Sequence, residues 1–160
     1  MSRKFITIEK NFDFSKINMD LSKELNLSGS MIIKDMVDKN RKGLSYNGEK
    51  LEPLNPKTIK RKRAKGRSNP SRALYDSGLM IGRGSAKKTG GRGLFLSKRA
   101  SKTKQEAVIS FAKDRHQIGI YHNEGTNKLP KREWFGVSDK VEKDILRMIE
   151  LRIDRILRSA

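Results

Sequence analysis

Positive charge is concentrated in the middle of this chain. Between Lys57 and Lys104 lie 16 lysines and arginines and a single acid, Asp76, so this stretch carries a net charge of +15. The flanking residues supply only +4 of the total of +19. Like charges at this density repel each other in a compact fold unless a partner neutralises them. The middle of the chain is therefore expected to meet nucleic acid or an acidic protein surface, or to remain as solvated loops.

The basic middle divides into two runs, residues 57–72 and 83–104, each with eight cations and no acid. We interpret both as basic loop regions of one domain that spans residues 1–160, because domains typically hold about 100–150 residues. The candidate contacts with DNA or with a protein partner are Lys60, Arg61, Lys62, Arg63, Lys65, Arg67, Lys87, Lys88 and Arg92.

Aromatic residues are scarce in the basic middle, where only Tyr75 and Phe95 occur. A stacking platform for single strands needs several exposed rings. No Cys/His finger, RNP-like motif or heptad-linked basic helix is present either. Any nucleic-acid contact is therefore predicted to involve phosphates, to depend on salt and to be independent of base sequence.

Composition excludes several other classes. The chain has no cysteine, which rules out disulfides, thiolate zinc sites, iron–sulfur clusters and a cysteine nucleophile. Hydrophobic residues make up only 34%, so the core is expected to be small. No apolar run approaches the ~20 residues of a membrane-spanning helix, and Met1–Lys10 lacks the long apolar stretch of a signal peptide. We expect no membrane partner and no cofactor.

Apolar spacing predicts the secondary structure. Phe5–Ile8 is typical of a brief strand, and an amphipathic helix is expected within Ile17–Arg41, either kinked or divided at Ser28-Gly29-Ser30. A helical turn is expected at Thr58–Lys65. Further elements are two strands at Gly93–Leu96 and Ala107–Phe111, a strand or short helix at Ile118–His122, and a long helix at Val141–Ile156 that begins near Ser138 and Asp139.

This order of elements predicts the α+β class. We expect a small antiparallel sheet packed by an N-terminal helical segment and a long C-terminal amphipathic helix, with long basic loops. Large apolar side chains just before the last helix would be core or subunit-interface anchors, and Gly136 would allow a turn there. The proposed anchors are Leu79, Tyr121, Pro130, Trp134 and Phe135.

Catalytic and metal motifs are weak. The two histidines, His116 and His122, are six residues apart and form no HExxH-type arrangement. The glycine-rich stretch Gly82–Gly93 lacks the Gly-Lys-Ser/Thr order of a phosphate-binding loop. The strongest enzyme alternative is a small basic ribonuclease that uses Tyr121, His122 and a neighbouring arginine. We expect no catalytic residues and no metal ligands.

Three segments, taken in order, carry a resemblance to a known family. They are Asn47-Gly48-Glu49-Lys50-Leu51-Glu52-Pro53-Leu54 followed by Thr58 and Lys62; Leu74-Tyr75-Asp76-Ser77-Gly78-Leu79-Met80; and Ile120-Tyr121-His122-Asn123-Glu124-Gly125 followed by Leu129-Pro130-Lys131-Arg132-Glu133-Trp134-Phe135-Gly136-Val137-Ser138. They resemble the virion morphogenesis (tail-completion, head–tail joining) proteins of tailed bacteriophages. The most specific part is the closing P-x-R-x-W-F-G-V-S before an amphipathic helix. Leu51 stands where that family usually has an aromatic residue. His122 directly follows Tyr121, whereas in the family several residues separate the tyrosine from the histidine.

The resemblance implies a non-enzymatic structural protein of the phage neck, located in the virion and in the host cytoplasm during assembly. Such a protein would form a homo-oligomeric ring of about six copies around the channel through which DNA leaves. Its partners would be head connector or portal-side proteins, tail terminator or tail tube proteins, and the genomic DNA. The basic loops would face the DNA or clamp acidic connector surfaces. A sequence-independent nucleic-acid-binding protein without a virion role is the alternative.

Overall fold

The computed structural model of the chain describes residues 6–9, 19–76, 80–81, 93–111 and 115–158. Over these residues the elements are, in order, β1 (Ile6–Glu9), α1 (Ser22–Arg41), α2 (Pro56–Ala64), β2 (Leu94–Lys98), β3 (Glu106–Phe111), α3 (His116–Glu124) and α4 (Asp139–Arg158). Of the predicted contacts and anchors, Leu79, Lys87, Lys88 and Arg92 lie outside the described residues.

The described strands form one antiparallel sheet in the order β1-β3-β2. In the register, Ile6 lies opposite Ile109 and Leu94 lies opposite Phe111. The strands predicted from the sequence are therefore confirmed to within two residues. At the third apolar segment, Ile118–His122, the helical alternative is correct, because these residues form the middle of α3.

The helix α1 continues without a break through Ser28, Gly29 and Ser30. The hydroxyls of Ser28 and Ser30 each donate to the carbonyl four residues earlier, at 2.8 and 3.0 Å, so they bond within the helix instead of ending it. Gly29 is needed for packing: a Cβ added there would overlap Leu96 Cδ2, so the missing side chain lets β2 approach the helix.

The core lies on both sides of α1, which packs against β2 and β3 and also against α4. One apolar cluster joins α1 to the sheet and to the start of α4, with Trp134 among its most buried members. A second surrounds Leu25 and receives Ile149, Ile153 and Ile156 from α4. Burying such side chains contributes about 1.5–3 kcal/mol each before the entropy of ordering is subtracted. The predicted α+β class, with an N-terminal and a long C-terminal helix, is confirmed.

The helical turn predicted at Thr58–Lys65 is confirmed by α2, so the broader description of both basic runs as loops needs correction. Residues 56–64 of the first run form α2, because Pro56 is compatible with the first helical turn and the Asn55 side chain accepts a hydrogen bond from Lys57 N at 2.9 Å. Part of the second run forms β2, which pairs with β3. The charge of the first run is therefore displayed largely on a helix.

The segment before α4 is held against α1 by a polar network. Ser138 Oγ donates to Asp35 Oδ2 at 2.8 Å, and Lys39 Nζ lies 2.8 Å both from that carboxylate and from the Tyr46 carbonyl. The ring of Tyr46 packs on Gly136, where an added Cβ would lie 2.6 Å from ring atoms. Gly136 is not among the glycines with positive φ. It is needed for this close approach and not, as predicted, for a special turn.

Candidate functional site

A groove of about 1050 Å³ opens between α2, the turn that follows it, α3 and the segment before α4. Its lining residues come from four stretches of chain. They are Glu52 to Thr58 with Arg61, Lys62 and Lys65; Leu74 to Asp76 with Met80; Arg115, Ile118 and His122; and Lys128 to Pro130 with Arg132. Seven of these side chains are lysine or arginine and two are acidic, so the groove favours anionic ligands.

The helix α2 presents Lys57, Arg61 and Lys65 to the groove. These residues are four apart, so they lie on one side of the helix, with Lys65 just beyond its last turn. All three are exposed, and none makes an ion pair within the described part of the chain. The predicted contacts Lys60 and Arg63 are also exposed but do not line the groove. Of the exposed cations in and just after α2, Lys57, Arg61 and Lys65 therefore line the groove, whereas Lys60 and Arg63 lie outside it.

Lys62, one of the predicted contacts with DNA or a protein partner, is instead a buried structural residue. It is 7% exposed, and its Nζ donates to the Arg72 carbonyl at 2.8 Å and to the Tyr75 carbonyl. Burial lowers the pKa of Lys62; Asp76 opposes that shift, whereas the nearby arginines add to it. Its ammonium fastens the turn after α2 to the helix, because these carbonyls satisfy the buried donor.

Two other cations of the first run have partners within the fold. Arg67 forms a two-point ion pair with Asp76, with Nε–Oδ1 at 2.9 Å and Nη2–Oδ2 at 3.2 Å. The guanidinium of Arg72 lies 4.5 Å from the centre of the Tyr75 ring and donates to Asn40 Oδ1 at 3.1 Å. The single acid of the basic middle and one of its two aromatic rings are therefore engaged by neighbouring arginines.

The opposite wall is built around Arg132, which is 4% exposed. Its Nε donates to the Glu52 carbonyl at 2.7 Å and its Nη2 to the Pro53 carbonyl at 2.9 Å. Its backbone N–H donates to the His122 carbonyl at 2.7 Å. Burial lowers the pKa of Arg132, and Glu52 partly opposes this shift. Arg132 thereby connects the segment before α2 to α3.

Trp134 supports the same wall from the core side, where it packs behind α3. It is 2% exposed, and its Nε1 donates to the Gly119 carbonyl at 3.2 Å. The backbone N–H groups of Trp134 and Phe135 both donate to Asn123 Oδ1, at 3.1 and 3.0 Å. The two rings meet edge to face, with centroids 5.5 Å apart. Of the proposed anchors, Trp134 is a core residue, Phe135 is half-buried, and Pro130 and Tyr121 are exposed.

His122 lies in the groove wall with its Nδ1 buried and without a hydrogen-bond partner in the described structure. Arg132 is the arginine beside it, but that guanidinium is committed to two backbone carbonyls. Tyr121, the other residue of the ribonuclease alternative, does not line the groove. Across the described ranges, no group of three histidine, aspartate or glutamate side chains could hold a metal ion.

Burial, reinforced by Arg132, lowers the pKa of His122 from its ordinary value of 6.5. The unfolded chain therefore binds a proton at higher pH than the folded chain. The free energy of unfolding consequently decreases as pH falls below about 6.5, by at most ~1.4 kcal/mol per pH unit. We expect His122→Gln to remove this part of the pH dependence. Urea unfolding of both proteins at pH 5.5 and 7.5, followed by Trp134 fluorescence, measures the difference. Identical pH dependence in the two proteins would contradict the assignment.

Sequence reasoning found Arg61, Lys62 and Lys65 but missed the groove's other cations, Lys57, Arg115, Lys128 and Arg132. A helical reading from Pro56 would have aligned Lys57 with Arg61, since the Asn55-Pro56 pair is a helix-start signal. Lys128 and Arg132 are distant in sequence from α2, so only the tertiary fold brings them to the same groove.

Comparison with known proteins gives no relative for this chain: no family model, no curated protein and no solved structure matches it. In the residues that the structure describes, no helix has the length and apolar character needed to cross a membrane.

Proposed function

We propose that this chain is a non-enzymatic structural protein of a tailed-bacteriophage neck, which joins the head connector to the tail. In this proposal about six copies form a ring around the DNA channel, and the exposed cations of α2 contact DNA or acidic connector surfaces. The partners are the head connector, the tail terminator or tail tube, and the genome.

One observation carries the proposal: the three segments that hold the resemblance to head–tail joining proteins line the same groove. The first contributes Glu52, Pro53 and Leu54, the second contributes Leu74 to Asp76 and Met80, and the third contributes His122, Leu129, Pro130 and Arg132. Lys62 and Arg132 fasten these segments to one another through the Tyr75 and Glu52 backbone carbonyls. The shared motifs therefore have a common physical task, which is to build one surface.

A ring makes weak charge contacts effective. Each copy displays five exposed α2-region cations without ion pairs in the described structure, Lys57, Lys60, Arg61, Arg63 and Lys65. Closed assembly repeats these contacts, so a modest affinity per copy suffices to hold a DNA end or a connector. Loose phosphate contacts also suit a channel through which DNA must later pass.

The test is charge reversal in a phage that depends on this gene. Lys60→Glu, Arg61→Glu, Arg63→Glu and Lys65→Glu, combined, leave the structural Lys62 in place. We expect unjoined heads and tails in electron micrographs and an infectious titre lower by about a hundredfold or more. The matched control reverses four exposed lysines elsewhere, Lys23, Lys34, Lys102 and Lys143, and should retain most of the titre. Normal joining by the α2 variant would refute the proposal.

The exposed α2 cations also favour a second candidate, a nucleic-acid-binding protein that acts without a virion. That candidate predicts tight binding of DNA by a monomer, with affinity falling steeply as salt increases. The neck proposal predicts weak DNA binding by the free protein together with specific docking to a connector. Fluorescence anisotropy with a labelled duplex at several salt concentrations separates the two.

A further inference from the structure

The two long walls of the groove differ in chemistry. On one side α2 presents Lys57, Arg61 and Lys65, which are exposed and unpaired in the described structure. On the other side lie Ile118 and Leu129, which are 40% and 37% exposed although they are large and apolar, together with the cations Arg115 and Lys128. Exposed apolar side chains that line a concave surface are typical of binding sites.

The spacing of the cations suits an extended peptide. Residues four apart on a helix are separated by about 6 Å along its axis. In an extended chain, side chains on one face repeat every ~6.6 Å, and the intervening side chains point to the opposite face. A peptide that alternates acidic and apolar residues would therefore direct its carboxylates to α2 and its apolar side chains to Ile118 and Leu129.

Nucleic acid fits this groove less well. Its phosphates would match the cations, but nothing in a sugar–phosphate backbone would cover the exposed apolar side chains of Ile118 and Leu129. Binding through bases needs exposed aromatic faces. The aromatic side chain of Tyr75 lines the groove, but one face of its ring is covered by the Arg72 guanidinium at 4.5 Å.

We propose that the groove is a docking site for an extended segment of a partner protein in which acidic and apolar residues alternate. This inference rests on the proposed joining function, since it specifies how a connector or tail protein would be held. The volume of about 1050 Å³ is slightly above the usual range of ligand pockets, ~300–1,000 Å³, and is large enough for several residues of extended chain.

The experiment measures binding of a fluorescein-labelled peptide, Glu-Leu-Glu-Val-Glu-Leu-Glu, to the full chain by anisotropy at about 150 mM salt. A peptide of the same composition in block order, Glu-Glu-Glu-Glu-Leu-Val-Leu, tests the alternation. We expect saturable binding of the alternating peptide and affinity for the block peptide that is about tenfold lower.

Two pairs of variants locate the site. Lys57→Glu with Arg61→Glu should weaken binding about tenfold or more, whereas Lys60→Glu with Arg63→Glu, an equal charge change at α2 residues that do not line the groove, should weaken it by less than about threefold. Ile118→Ser with Leu129→Ser should also weaken binding, unlike Leu146→Ser with Leu151→Ser at exposed positions of α4.

Several results would overturn the inference. The first is the absence of saturable binding up to about 1 mM peptide. The second is an equal loss of peptide affinity in the two charge variants. The third is a DNA duplex or oligo-dT that binds more tightly than the peptide and depends on the same groove residues. The last result would assign the groove to nucleic acid. If the chain is present in phage particles but does not bind the peptide, the docking site is refuted and the joining role stands. If the chain binds the peptide but is absent from particles, only the joining role is refuted.

Discussion

Replacing Trp134 with alanine should lower the free energy of unfolding by about 3–5 kcal/mol, the range for truncating a large buried ring. The side chain is 2% exposed and belongs to the cluster that joins α1, β2, β3 and α4. Truncation also leaves the Gly119 carbonyl without its indole donor. Small domains are stable by only about 5–15 kcal/mol, so the variant should be close to unfolding at 37 °C.

Urea unfolding measures this loss, and far-UV circular dichroism is the suitable signal because Trp134 is the only tryptophan of the chain. Trp134→Phe keeps most of the ring and should cost less, about 1–2 kcal/mol. Leu146→Ala is the control, because Leu146 is 53% exposed on α4 and should change stability by less than about 0.5 kcal/mol. A Trp134→Ala protein as stable as this control would show that Trp134 is not a core residue.

Replacing Arg132 with methionine should cost about 2–3 kcal/mol. The substitution removes two charge-assisted hydrogen bonds to the Glu52 and Pro53 carbonyls from a site that is 4% exposed. Hydrogen bonds from charged donors contribute about 1.5–3 kcal/mol each, and part of that gain is offset because methionine avoids the cost of burying a charge. The segment before α2 should detach first.

Arg147→Met provides the matched control, since Arg147 is exposed on α4 and has no ion pair in the described structure. Both variants keep Trp134, so its fluorescence reports unfolding in urea. Hydrogen exchange of the Leu51 amide, which donates to the Gly43 carbonyl at 2.9 Å, should accelerate in Arg132→Met alone. Equal stability of the two variants would contradict the role of Arg132 as the connection between the walls.

Local patterns were sufficient for much of the fold. The stripe from Val141 to Ile156 predicts α4, and the β-branched runs predict β2 and β3, because each follows from the periodicity of its own apolar residues. The continuity of α1 could not be predicted, since Ser28 and Ser30 bond inside the helix and Gly29 fits a side chain from β2. Those roles depend on a neighbour that the local sequence does not contain.

The groove, too, could be predicted only in part from the local sequence. Charge density alone indicated a basic surface near Lys60–Arg67, and α2 displays most of those cations. Charge density did not separate the exposed Arg61 from the buried Lys62, because the difference depends on the turn whose carbonyls Lys62 reaches. The exposed apolar pair Ile118 and Leu129 was missed for a similar reason: these residues are ordinary in sequence and become notable only when they are exposed together in a concave surface.

Quantitative mass spectrometry of purified, salt-washed phage particles tests the central claim most directly. The joining role predicts that the chain remains in the particles after the salt wash, at about six copies or a small multiple of six per particle. Consistent absence from infectious particles would contradict it and leave an assembly factor or a free nucleic-acid-binding protein as the function to pursue.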